Sequence, residues 1–226
     1  MKSTTEKRPA EDVMETQVIT FLGVENGLFV YQTAKLLQAA RHDIKLLIID
    51  NSVSHDLFNM APGKDEIKSV GRASLVADRE FTESVFKKFE CVLVYLGKTY
   101  DQDYVDHSSA VYFLCDYTPA SETILVQTDL PQDSRSNIIF FNKTSRKIKE
   151  EGFFSLVDRS VFADKENNVF VVDFDERDFF AYAEWEWGAD KSLKGMSGDF
   201  RFVVSSIVAN FFAKPVKVVN KIAKNI

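Results

Sequence analysis

The chain of 226 residues carries a formal net charge of −6, is 45% hydrophobic and 27% charged, and includes 20 phenylalanines. Those values fit one folded domain, or at most two small ones, with a large core, and exclude a disordered or collagen-like chain. The acidic balance argues against a general nucleic-acid coat, and no apolar run reaches the ~20 residues that a bilayer span requires.

In chain order, residues 1–16 are polar and mixed in charge, which predicts a mobile tail with no secretory signal. Residues 17–22 (QVITFL) form a β-branched, apolar strand ended by Gly23. Residues 27–40 carry Leu28, Tyr31, Ala34, Leu36 and Leu37 at helical spacing. Residues 45–50 (KLLIID) read as a second strand, and their unbroken apolar character suggests a sheet covered on both faces. Residues 51–77 show no regular period, and 80–88 read as a short helix. Further strands are predicted at 91–96, 110–115, 136–141 and 168–173. Helices are predicted after Pro119, at 143–154 and at 199–212. Cys91 and Cys115 lie inside apolar runs and read as buried free thiols of a reducing compartment. Short buried strands alternating with helices predict a three-layer α/β fold. Its mostly parallel sheet of about six or more strands is flanked by helices on both faces, with any chemistry at the C-terminal edge of the strands.

The first strand–loop–helix unit, VITFLGVENGLFVYQTAKLLQ, stands where a phosphate-binding loop would be. Such a loop uses glycines for close backbone approach, a lysine for the β/γ-phosphates and a hydroxyl for magnesium. Here Gly23 and Gly27 are kept, while Leu28 stands at the lysine position and Phe29 at the hydroxyl position. With Gly27 on the last glycine of the motif, the chain resembles the MinD/ParA branch of P-loop ATPases over about residues 17–212. The branch's signature lysine then falls on Gly23. Asp50 falls on the aspartate ending the next apolar strand, Tyr95 on a magnesium-holding aspartate, and Asn142 on an asparagine that reads adenine. The resemblance implies a P-loop NTPase-like fold with a degenerate nucleotide site. Both motif lysines, the magnesium hydroxyl and the magnesium carboxylate are replaced, so phosphoryl transfer by the family mechanism is not expected. No cofactor and no catalytic residue is assigned. Weak nucleotide binding, or a low ATPase activity, is the alternative reading.

Other constellations have bland readings beside functional ones. Asp50 and Asn51 are either a remnant water- or metal-positioning pair or turn and cap residues. Asp101, Asp103, Asp106 and His107 lack the glycine and distal glutamate of an EF-hand loop, and read as a loop leading into a helix cap, with no metal assigned. Ser108, Ser109 and Ser121 sit in no nucleophile elbow. Acids and aromatics alternate from Asp173 to Phe180, and Trp185 and Trp187 follow. Phe29, Trp185 and Trp187 are candidates for a protein interface, with core packing the alternative for the tryptophans.

Residues 213–226 form a separate basic segment. Lys214, Lys217, Lys221 and Lys224 share one helical stripe; Pro215, Val218, Val219, Ile222 and Ile226 share another, with no acidic side chain among them. A basic helix with an apolar stripe lies on an anionic membrane, docks on a partner, or packs on its own sheet. MinD proteins also end in a short amphipathic membrane-targeting helix, so the placement matches the resemblance. The expected organisation is therefore a tail (1–16), an α/β domain (17–212) and a basic amphipathic helix (213–226). By resemblance to the pilus-localising, TadZ-like branch, the expected function is a non-catalytic scaffold. It would recruit protein partners of a bacterial membrane-associated machine of pilus, secretion or division type. It would be cytoplasmic or peripheral at the inner face of the cell membrane. A homodimer with Leu28 and Phe29 in an apolar contact is the corresponding expectation, and a fixed structural subunit is the remaining alternative.

Overall fold

The computed structural model describes residues 16–63, 66–131, 133–144 and 169–226. Along these the chain forms β1 (Gln17–Gly23), α1 (Gly27–Ala40), β2 (Leu46–Asp50), α2 (Asp56–Met60), β3 (Ile67–Val70), β4 (Ala73–Ala77), α3 (Glu83–Phe86) and β5 (Cys91–Gly97). There follow α4 (Gln102–Asp106), β6 (Ala110–Asp116), α5 (Pro119–Gln127), β7 (Ser136–Lys143), β8 (Val169–Asp173), α6 (Glu176–Glu186), a 3-10 turn (Leu193–Gly195), α7 (Gly198–Phe211) and α8 (Val216–Ala223). The expected tail and most of the expected 143–154 helix lie outside the described residues.

The strands make one eight-stranded sheet in the order β3-β4-β2-β5-β1-β6-β7-β8. Every neighbouring pair is parallel except β3 with β4. Side chains alternate between the faces with period two. Phe21, Ile48, Leu93, Tyr95, Tyr112, Leu114 and Ile139 point to one core, and Leu22, Ile49, Val94, Val111, Phe113 and Ile138 to the other. The first core is closed by α1, α7 and α8, and the second by residues of α3, α4 and α5. Burial on both sides explains why these strands read as continuous apolar runs.

Two stretches depart from the sequence reading. The irregular stretch 51–77 contains α2 and the antiparallel hairpin β3–β4. The acidic-aromatic stretch after β8 is helical, as α6, with Asp175 capping it by accepting from the Arg177 backbone N–H at 2.9 Å.

α8 settles against the body. Val219 and Ala223 are fully buried, Ile222 and Ile226 pack half-buried against the same core, and the backbone carbonyl of Ile226 accepts from the Lys194 N–H at 2.7 Å and the Ser192 hydroxyl at 2.6 Å. Lys214, Lys217, Val218, Lys221 and Lys224 remain exposed. Of the three readings of the stripe, packing on its own domain is the one seen for Val219, Ile222 and Ile226, so Ile222 and Ile226 are not free membrane or partner contacts as expected, while Pro215 and Val218 are left at the surface. Among the described residues no helix is long and apolar enough to cross a membrane.

Candidate functional site

β1 lies between β5 and β6, so the chain leaves β1 toward one side of the sheet and leaves β6 toward the other. That reversal opens a crevice at the C-terminal edge of the strands, as in other doubly wound sheets. The crevice here has a volume of about 260 Å³. It is lined by the β1–α1 loop (Val24, Glu25, Asn26), Leu28, Asp116 at the end of β6, Phe141 and Asn142 of β7, and Val172, Asp178, Phe179, Tyr182 and Phe200.

The two glycines of the loop have local reasons to be glycine. Gly23 has φ +109°, and a Cβ there would lie 2.1 Å from the Leu114 carbonyl oxygen, which also accepts from the Val24 N–H at 2.8 Å. Gly27 opens α1, and its N–H donates to the Asp56 carboxylate at 3.0 Å. A Cβ on Gly27 would lie 2.7 Å from the same carboxylate. The helix N-terminus that would hold a phosphate thus holds an internal carboxylate instead. Asn26 caps the helix, its side-chain oxygen accepting from the Phe29 N–H at 3.1 Å. Leu28 faces the crevice, whereas Phe29 is 0% exposed and packs edge-on against Phe21, Phe141 and Phe200. Phe29 is a core residue, which corrects its expected place at an interface; Leu28, 1% exposed, has no surface to offer a partner either.

Asp50 is fully buried and organises the β2–α2 loop. It accepts from the Ser52 N–H at 3.1 Å, the Ser52 hydroxyl at 2.6 Å and the Phe58 N–H at 2.7 Å. This is the turn-and-cap role rather than a water-positioning one. Burial pushes its carboxyl above the ordinary range, against the pull of these hydrogen bonds. Burial also raises Asp56, with the charges of Asp50 and Glu25 adding to the effect. Tyr95 lies wholly inside the protein. Its phenol is pushed up by burial first and then by Asp56, Asp50 and Glu25. The position expected to hold magnesium therefore carries a neutral side chain among carboxylates. Asn142 is exposed at the crevice rim in a left-handed conformation, φ +59°.

The crevice lining includes the carboxylates Glu25, Asp116 and Asp178 and no lysine, arginine or histidine among the described residues. Asp116 is satisfied by Thr118 and Ser121. Asp178 accepts from the Ser197 N–H at 2.6 Å through one oxygen, and burial raises its carboxyl. Sequence reasoning missed Asp56 because its partner, Gly27, is 29 residues away. It missed Glu25, Asp116 and Asp178 as a group because they come together only in the folded sheet edge.

The two tryptophans part company. Trp185 is 3% exposed and packs beside Tyr31 and Tyr182, while Trp187 is 92% exposed. Phe174, Phe179 and Phe180 are also exposed and touch one another in series. Trp187 keeps its candidacy as an interface residue, and Trp185 belongs to the core. Asp101 accepts from the Asp103 and Tyr104 N–H groups and caps α4, which accounts for the first acid of that cluster.

No protein-family model matches the chain, and no curated protein matches it in sequence. Solved structures do match in fold. A ParA family ATPase from Chlorobium tepidum TLS superposes with TM-score 0.55 at 15% identity, over 93% of this chain and 98% of that one. MinD in the MinC:MinD cell division complex of Aquifex aeolicus gives TM-score 0.55 at 13% identity, over 88% and 97%. Apo McdA of Cyanthece gives 0.51 at 10%, over 92% and 99%. The chain has the P-loop NTPase fold of the ParA and MinD ATPases. Identities this low carry the fold across and leave the chemistry to the residues of this chain.

Proposed function

We propose that this protein is a non-catalytic positioning scaffold of ParA/MinD-like fold, built to hold protein partners rather than to hydrolyse nucleotide. The observation that carries the reading is the Asp56 carboxylate on the Gly27 N–H, where a phosphate would be bound. Nucleotide phosphates entering this crevice meet the carboxylates of Glu25, Asp116 and Asp178, and its lining holds no lysine among the described residues. A pair of like unit charges 4 Å apart costs about 4 kcal/mol at an effective dielectric of 20. Phosphoryl transfer depends on positioning and neutralising that charge, and Leu28, Phe29 and Tyr95 supply neither. The same facts oppose the low-activity ATPase reading.

The partner-facing features are the exposed aromatics of α6 and the lysine face of α8. Aromatic residues amid polar surface are the composition of interface anchors. Exposed lysines without neighbouring acids in the helix suit an anionic surface, which supports a location at the inner face of a membrane. The ParA, MinD and McdA structures of similar fold support a positioning role, and a bacterial machine of pilus, secretion or division type is the setting proposed with it. A homodimer, if formed, uses surface residues such as Trp187 and not Phe29.

The test is equilibrium binding of Mg-ATP by calorimetry, paired with phosphate release. The expected result is no binding at millimolar ATP and no release above the buffer blank. Micromolar affinity in the wild-type chain would overturn the reading. Asp56→Asn is the informative companion, since it removes the internal anion while keeping the side chain's size.

A further inference from the structure

We infer that two copies of this chain bind each other through unlike faces: the acidic aromatic face of α6 on one copy and the lysine face of α8 on the next. The contact rests on the scaffold reading, which turns both faces toward partners, and it gives them one occupant, a second copy. Residues 173–187 hold six acids and one base, Arg177, for a net charge of −5; residues 213–226 hold four lysines and no acid, for a net +4. Neither face is neutralised within its own copy. Arg177 pairs with Asp175 and Lys191 with Glu184. Among the described residues no cation pairs with Asp173, Glu176 or Glu186, and no acid pairs with Lys214, Lys217, Lys221 or Lys224. Within one copy α6 borders the crevice and α8 lies along α7 and α1, each with its charged face to solvent. A second copy brings the two faces together.

Spacing matches as well as charge. Phe180, Glu184 and Trp187 follow one another at steps of four and three residues, and so do Lys217, Lys221 and Lys224; all six are exposed. At a rise of about 1.5 Å per residue, each series spans about 10 Å. Laid side by side in the same direction, they set Lys217 on Phe180, Lys221 beside Glu184 and Lys224 on Trp187. Lysine stems cover apolar surface and their ammonium groups are drawn to aromatic faces and to carboxylates beside them, here Glu176 and Glu186. Phe179, exposed and in ring contact with Phe180, widens the aromatic face, and the exposed Val218 flanks the lysines. Aromatic residues amid charge are the composition of interface anchors. A contact of unlike faces is heterologous, so copies add head to tail unless two of them close on each other. At any one α8 the lysines serve a second copy or an anionic membrane, and the copy ending a row keeps its α8 for the membrane. A patch of two short helices is at the small end of interfaces, where association is weak.

The experiment is sedimentation velocity of the full chain. Half-association is expected at about 10–100 μM in about 0.05 M salt, weakening at least about tenfold in about 0.5 M salt. Emission of the exposed Trp187 should move to the blue as association proceeds, because its ring leaves water. Two double variants at exposed positions break one face each. Phe180→Ala with Trp187→Ala removes the aromatic face of α6, and Lys217→Glu with Lys221→Glu reverses the charge of α8. Each double variant alone should stay monomeric. Mixed in equal amounts, they should form a dimer and nothing larger, because the first keeps its α8 and the second its α6. A variant that had lost its fold could not do so. The contact is refuted if the wild type stays monomeric at about 300 μM, well above the Kd expected of a weak interface. It is equally refuted if association is insensitive to salt or to either double variant, or if the mixture remains monomeric. The Mg-ATP titration keeps the two claims apart. Micromolar ATP binding overturns the scaffold reading, whereas a monomeric wild type that binds no ATP overturns the head-to-tail contact alone.

Discussion

The contact between Gly27 and Asp56 ties the start of α1 to the start of α2 through one hydrogen bond. Because a Cβ on Gly27 would stand 2.7 Å from the carboxylate, Gly27→Ala should destabilise the protein by about 1–3 kcal/mol. Asp56→Ala should cost a similar ~1–3 kcal/mol by leaving the helix N–H without its acceptor. The double variant removes the clash along with the bond, so its cost should fall short of the sum by about 1 kcal/mol or more in chemical denaturation. Additive costs would mean that the two residues do not sense each other. The same carboxylates set a pH dependence. Asp50, Asp56 and Asp178 titrate above the ordinary range in the folded protein, so the native state binds their protons more readily than the unfolded chain. Their contribution is fully present below the unfolded carboxylate pKa and is lost as pH rises through the raised folded values. Asp175, held down to about 2 by Arg177, acts in the opposite sense, losing stability as pH falls toward that value. The comparison that isolates the buried group is wild type against Asp56→Asn. The wild-type urea midpoint should gain on the variant's as pH drops from about 7 to about 5, and parallel curves would refute the assignment.

At the scale of elements, α8 and α6 divide the surface from the core in ways that their sequences blur. α8 is held by Val219 and Ala223, both fully buried against α7 and α1. Val219→Ala should cost about 2 kcal/mol in urea denaturation, whereas single Lys→Gln changes at Lys214, Lys217, Lys221 or Lys224 should stay within about 0.5 kcal/mol. Ending the chain after Asn210 should broaden or abolish the cooperative transition, because it removes part of the first core. On α6, Trp185→Ala should cost about 3–5 kcal/mol and Trp187→Ala within about 0.5 kcal/mol. Trp187→Phe should shift the emission maximum to the blue, since only buried Trp185 then emits. Periodicity placed β1, α1, β5 and β6 within a residue or so of their observed ends, because both faces of those elements or one broad face are buried. It failed for β3, a four-residue edge strand whose Ile67 is exposed, and for α6, whose outward face carries Phe179 and Phe180 and whose C-cap is the exposed Trp187. In both cases apolar residues point to solvent, so the pattern that marks burial is absent. The replacement of the motif lysine and hydroxyl was legible from Leu28 and Phe29, but the Asp56 carboxylate on the Gly27 N–H was not, since no local spacing links the two residues.

At the scale of the whole molecule, carboxylates line the crevice at the C-terminal edge of the sheet and exposed lysines face out from α8 and the turn before it. The lysine face sets a limit on how firmly the protein can attach to an anionic surface. Each lysine contributes about 1 kcal/mol near such a surface, so the four on α8 supply about 4 kcal/mol. A single myristoyl chain, with an association constant of about 10⁴ M⁻¹, is already a marginal anchor. Four lysines fall below that, and apart from the exposed Val218 the aliphatic side chains that would add to them are packed wholly or partly in the core. Co-sedimentation should therefore show weak pelleting with anionic vesicles and none with neutral vesicles. It should disappear at about 0.5 M salt, where screening shortens the reach of each charge, and also when Lys214, Lys217, Lys221 and Lys224 are all changed to Gln. Hydrogen exchange at Val219 and Ala223 should stay protected on the vesicle, because α8 remains docked. Salt-resistant pelleting with loss of that protection would show instead that α8 leaves the core and inserts its stripe. The lipid would then have to offset the burial that Val219 and Ala223 give up. Weak attachment of this kind would make stable localisation depend on a second contact, for which the exposed aromatics of α6 are the proposed protein-binding face.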